Sequence, residues 1–130
     1  MPHYTAIVTL LVVAFYFFVA TQVAAAHIKF GVKLPAMSGQ PDFERTYRVQ
    51  MNMLEWMPTF LLPLWLSALY FSDWASALVG LLWLVGRVVY FLGYREAVEK
   101  RLPGFFIQAM ACLLLFIGAA IGVVIRLVGG

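Results

Sequence analysis

Four stretches of this chain carry almost no charge, and each is about as long as the oily interior of a bilayer is thick. Tyr4 to Ala26 has no charged residue, Trp74 to Tyr94 holds only Arg87, and Leu102 to Ile125 holds none. The remaining stretch, Trp56 to Ser72, is shorter. It extends back through Met51, Met53 and Leu54, with Glu55 as its only charge. A helix crosses the hydrocarbon layer of about 30 Å with about 20 apolar residues. Backbone amides have no water to bond there, so each crossing segment must be a helix or part of a closed barrel. No period-two alternation appears, which argues against a small barrel. The expectation is an all-α membrane protein: four transmembrane helices forming a single domain over residues 1–130.

Composition agrees. Hydrophobic residues make up 64% of the chain and charged residues 12%, against about 45–50% and about 25% in soluble domains. A water-soluble globule, a disordered chain and a nucleic-acid module with a dense basic face are all excluded. The single cysteine, Cys112, has no internal disulfide partner and reads as a packed thiol in an apolar helix. His3 and His27 lack acidic or thiol partners at ligand spacing, so no metal site is expected.

The connections are short. Ser72-Asp73 predicts a near-immediate turn, Pro103-Gly104 a break between the third and fourth spans, and Gly31 to Phe43, with Pro35, Gly39 and Pro41, a true loop. Short links make neighbours antiparallel and predict an up-down-up-down four-helix bundle. Ala24-Ala25-Ala26 looks like a signal-peptide cleavage site. No cation precedes the apolar run, however, and the run exceeds the roughly 7–15 residues of a signal h-region. The first span is therefore expected to be retained. Lys29, Lys33, Arg45 and Arg48 surround the first loop and Arg95, Lys100 and Arg101 the third, whereas the opposite side has only Arg126. The positive-inside rule puts loops one and three in the cytoplasm and both termini across the membrane. Gly118 and Gly122 form a GxxxG that suggests close helix packing.

Charges inside spans are costly, at about 2.5–3.5 kcal/mol each at the centre of a helix on translocon scales, so their pattern matters. Arg45, Arg48, Asn52 and Glu55 are spaced three, four and three apart, one stripe on a helix. Arg87, Tyr90, Tyr94 and Arg101 follow at three, four and seven. These rows must face each other, a neighbouring subunit or a polar cavity. Arginine forks suit carboxylates, glutamate suits an ammonium, asparagine donates and accepts, and tyrosine adds a hydroxyl on an apolar ring. Such a set fits a small zwitterion with more carboxylates than amines, and glutathione is one. Two alternatives stay open on the residues alone: mutual interhelical ion pairs, and an anionic lipid headgroup, which accounts less well for Glu55.

The segment Phe43 to Pro58, with the pattern FERxxRxQxNxxE, resembles the signature of the MAPEG family, the membrane-associated proteins in eicosanoid and glutathione metabolism. Gly86 to Tyr94, containing RxxYFxGY and followed by Lys100-Arg101, resembles the family's second signature. The likeness covers about residues 20 to 105 and is nearest the branch of type-two microsomal glutathione S-transferase and the leukotriene-C-forming synthase. It implies a homotrimer with glutathione as co-substrate, held between subunits near the cytosolic surface. Arg48, Asn52 and Glu55 would grip the polar ends of the peptide, with Gln50 reaching in from the neighbour and Tyr90 and Tyr94 lining the pocket. Arg101 would lie beside the sulfur as the catalytic residue. His27 stands where close relatives carry an arginine, and Lys29 is a substitute anchor. Trp56 replaces a tyrosine or phenylalanine. The implied activity is conjugation of glutathione thiolate to hydrophobic electrophiles, with leukotriene-C formation or lipid hydroperoxide reduction as further possibilities. The competing reading is a non-catalytic lipid-binding scaffold resembling the five-lipoxygenase-activating protein. That protein's pattern lacks arginine at the positions of Arg48 and Arg101.

Overall fold

A computed structural model describes residues 1–129, and every regular element in it is helical: α1 (His3–Lys29), α2 (Pro41–Tyr70), α3 (Asp73–Glu96), a single 3-10 turn (Val98–Arg101) and α4 (Leu102–Gly129). At about 1.5 Å per residue, the shortest of the four, α3 with 24 residues, is still long enough to span a bilayer. Three regions are long and apolar enough to cross a membrane: α1, α3, and α4 together with the 3-10 turn. α2 does not qualify. The expected second span is long enough at 30 residues, but its first half carries the charged stripe and its apolar half is interrupted by Pro58 and Pro63. Proline inside a helix removes a backbone hydrogen bond, a loss that neighbouring helices can make good in membrane proteins.

The helix boundaries follow local chemistry. α1 ends where Gly31 takes φ 68°, a left-handed conformation that glycine adopts without a Cβ penalty. α2 begins at Pro41, two residues earlier than the loop limit read from sequence. Gln40 accepts hydrogen bonds from the amides of Asp42 (2.7 Å) and Phe43 (3.3 Å), and Pro41 enters the first turn, where its missing N–H costs nothing. Ser72 caps α3 by accepting from the Ala75 amide at 3.2 Å, so the link after α2 is as tight as Ser72-Asp73 implied. Pro103-Gly104 does not separate two helices. Pro103 lies in the first turn of α4, again a position that tolerates proline, and the chain turns instead through the preceding 3-10 segment.

α1, α2 and α3 meet in one apolar core with α4. Val12, Val19, Met53, Phe60, Leu64, Trp83 and Leu115 are among its buried members, and Phe60 stacks flat on Trp83 with centroids 3.9 Å apart. A second cluster, Val23, Ala26, Val32 and Phe43, lies beneath the first loop. α3 and α4 approach closely enough that a Cβ on Gly104 would fall 2.2 Å from the Tyr90 amide nitrogen. At the other end a Cβ on Gly122 would fall 2.7 Å from the Tyr70 carbonyl, so the GxxxG does mark close packing, against α2. Outside this core, large apolar side chains such as Leu10, Phe17, Leu62, Phe106 and Phe116 are exposed. A contiguous apolar surface of this kind belongs against lipid or another subunit.

Candidate functional site

The two polar rows meet at one point. Arg87, only 1% exposed, donates from Nη1 to Asn52 Oδ1 at 2.7 Å and from Nη2 to the Val49 carbonyl at 3.4 Å. Its guanidinium carbon lies 4.4 Å from the Tyr90 ring centroid, within the range of a cation–π contact. The remaining phenolic and basic groups continue from there toward the helix end. Tyr90 and Tyr94 have ring centroids 5.4 Å apart, and Arg101 lies 5.8 Å from the Tyr94 ring. Arg101 is carried by the 3-10 turn, where Nη1 donates to the Val98 carbonyl at 2.6 Å. Gly104, packed on the Tyr90 backbone, ties this turn to α3.

The α2 row is split by its surroundings. Asn52 turns inward to Arg87, while Arg48 and Glu55 face outward and pair with each other at 3.4 Å, their side chains 48% and 58% exposed. Arg48 and Glu55 lie four residues before and three residues after Asn52 on the same helix, so the outward pair flanks the residue that holds Arg87. Arg45 leaves the group: it pairs with Asp42 on its own helix and lines a separate cavity. Gln50 is half-buried and, two residues from Arg48, lies roughly 200° around the helix. His27, at the end of α1, donates from Nδ1 to the Val32 carbonyl (2.8 Å) and rests on Phe43 with centroids 4.5 Å apart. It fastens the first loop. Trp56 packs edge-on against Phe105, 5.6 Å between centroids.

Thus Asn52, Arg87, Tyr90, Tyr94 and Arg101 form one connected series, and Arg48 and Glu55 stand beside it on the open face of the chain. Gln50 and His27 are not among those contacts. Chemically the open face offers two guanidiniums, a carboxylate and phenol hydroxyls, a set able to hold carboxylates and an ammonium together. Among the described residues no group of three or more His, Cys, Asp or Glu could hold a metal ion.

A family model of MAPEG matches residues 5–121. The chain belongs to the MAPEG family. It is 39% identical to human microsomal glutathione S-transferase 2 over 104 residues, covering 80% of this chain and 71% of that one. It is 39% identical to rat leukotriene C4 synthase over 125 residues, 96% of this chain and 83% of the relative. An uncharacterized Synechocystis protein matches at 39% over 122 residues, 94% and 89%. MAPEG membership and the apolar helices make this an integral membrane protein.

One member of the interior escaped the sequence reading. Gln108 of α4 is fully buried, and neither its amide nitrogen nor its amide oxygen has a hydrogen-bond partner. Its backbone packs on Gly86, next to Arg87. The only sequence signal was a lone amide in an otherwise apolar span.

Proposed function

We propose that this protein is a membrane glutathione transferase, an up-down-up-down bundle of one domain (1–130) that works as a homotrimer with loops one and three in the cytoplasm. The observation that carries the reading is the outward Arg48–Glu55 pair beside the Tyr90, Tyr94 and Arg101 series. A charge exposed on a spanning helix is costly in lipid, and a bound zwitterion at a subunit boundary removes that cost. Arg48 takes a glutathione carboxylate and Glu55 its ammonium. Asn52 and the tyrosine hydroxyls take the peptide's remaining polar groups, Gln50 reaches in from the adjoining subunit, and His27 stands at the position of a carboxylate anchor. The similarity to microsomal glutathione S-transferase 2 and leukotriene C4 synthase supports the same chemistry.

In this reading Arg101 acts on the sulfur. A guanidinium beside a thiol favours its ionised form, and the thiolate is the nucleophile. The thiolate attacks an electrophilic carbon delivered from the bilayer. A carbon–sulfur bond forms, and the leaving group departs with the bonding pair. With a lipid hydroperoxide the thiolate attacks the terminal oxygen and the O–O bond breaks, so the alkoxide leaves and is protonated to the alcohol; a second glutathione then converts the resulting sulfenic acid to glutathione disulfide and water. Conjugation to a fatty epoxide would be leukotriene-C-type chemistry.

The test is a steady-state assay of detergent-purified protein with glutathione plus an aryl halide, and separately a lipid hydroperoxide. Turnover of either substrate is expected, accompanied by the ultraviolet absorbance of bound thiolate at neutral pH. Binding of glutathione without turnover of either would leave the scaffold reading standing instead.

A further inference from the structure

We propose that the cavity enclosed by the last turn of α1, the first turn of α2 and the last turn of α3 is a second binding site, one that takes a phosphate group. The cavity has a volume of about 460 Å³, and none of Arg48, Gln50, Asn52, Glu55, Tyr90, Tyr94 and Arg101 lines it. Its mouth carries Lys29, Arg45 and Arg95, one cation from each helix, and the acids Asp42 and Glu96.

The acids are already engaged. Asp42 pairs with Arg45, and Glu96 pairs at 2.9 Å with Lys100, which lies outside the cavity. Lys29 and Arg95 are left with no acidic partner among the described residues. Each rests instead on an aromatic ring at the rim, Lys29 on Phe30 at 5.3 Å and Arg95 on Phe91 at 5.6 Å. The pairing of Arg45 is also incomplete, because its Nε is buried without an acceptor. Gln22 of α1 lines the same cavity. Two uncompensated cations and an amide around one space, with the Arg45 guanidinium beside them, make an anion receptor. Phosphate suits it, since arginine and lysine bind phosphate oxygens by charge-assisted hydrogen bonds.

The position suggests where the phosphate comes from. All three helix ends carry the charged residues that flank the apolar stretches, and the lining also holds the apolar Ala25, Ala26, Phe30 and Phe91. An acidic phospholipid can place its headgroup among the cations with its chains running down the outside of the bundle. A free phosphate compound from the aqueous side would meet the same groups.

The two sources separate by native mass spectrometry and thermal unfolding of the full chain in non-ionic detergent. The probes are phosphatidylglycerol, phosphatidylcholine of the same chain length and inorganic phosphate. The expected result is retention of phosphatidylglycerol and a raised Tm, with phosphatidylcholine markedly weaker. Each basic residue near a membrane surface contributes about fivefold to binding of acidic lipid. Lys29→Gln with Arg95→Gln should therefore weaken phosphatidylglycerol binding about twenty-five-fold, while Arg126→Gln, at the opposite end of the bundle, should not. Stabilisation by inorganic phosphate alone, lost in the same double variant, would establish the site with a soluble occupant. Equal binding of the two lipids by the wild-type chain, with no response to inorganic phosphate, would overturn the proposal. Binding of phosphatidylglycerol that the double variant leaves unchanged would overturn it as well.

Discussion

The two ends of the bundle handle polar groups in opposite ways. Where α1 and α3 begin, Asp73 accepts the backbone amides of Tyr4 (3.1 Å) and Thr5 (2.8 Å). Nearby, Thr9 accepts from Trp65 Nε1 at 3.1 Å, and Ser67 and Ser76 share a hydrogen bond of 2.6 Å. These groups are mostly small and uncharged, and they are occupied by one another. At the other end the polar groups are arginines, a glutamate and tyrosines. Arg87 and Asn52 bond each other, yet Arg48 and Glu55 face outward and the Nε of Arg87 has no partner. Polar groups that fasten helices together saturate themselves, whereas the groups proposed to hold glutathione keep capacity in reserve.

That contrast is open to direct attack. The largest effect is expected from Arg101→Ala: turnover at saturating glutathione should fall at least about a hundredfold, the scale of losing one preorganised donor to developing charge, with glutathione affinity mostly kept. An unchanged rate would remove Arg101 from the chemistry. Next come Arg48→Ala and Glu55→Ala, each expected to weaken glutathione binding roughly tenfold or more, as truncating a charge-assisted bond does. Calorimetry finding equal affinity would make the outward pair a structural contact. At the opposite end Asp73→Ala should leave turnover per folded molecule intact and lower stability by about 1 kcal/mol, a typical cap loss, read from the Tm. Ser76→Ala should cost at most about 1 kcal/mol, again with kinetics unmoved. Impaired kinetics in a fully folded Asp73→Ala protein would erase the distinction between the two ends.

The legibility of the molecule follows the same division. Helical class, the tight Ser72-Asp73 turn and the face shared by Arg87, Tyr90 and Tyr94 were readable because they depend on local hydrophobic period and capping. The direction in which a long side chain turns was not. Arg45 and Arg48 stand three residues apart on one stripe, yet Arg45 bends to Asp42 and Arg48 to Glu55, a choice made by whichever acid lies within reach. The bond from Arg87 to Asn52 joins residues 35 apart in sequence, and nothing in either stripe specified that pairing over another. Pro103 was read as a breaker because a single sequence does not reveal whether a proline ends one helix or starts the next. His27, placed by resemblance at the ligand, is engaged within the chain by the first loop, since a ring at the last turn of a helix finds the following carbonyl close at hand.

The tether between Arg48 and Glu55 also bears on which molecules can be admitted. A guest bearing only an acid group would draw the guanidinium away and strand a carboxylate with nothing opposite it. A guest bearing only an amine would strand the guanidinium. A compound carrying both charges, set apart by the span of two helical turns, exchanges one ion pair for two. The resting partnership is in that sense a lock that rejects half-keys.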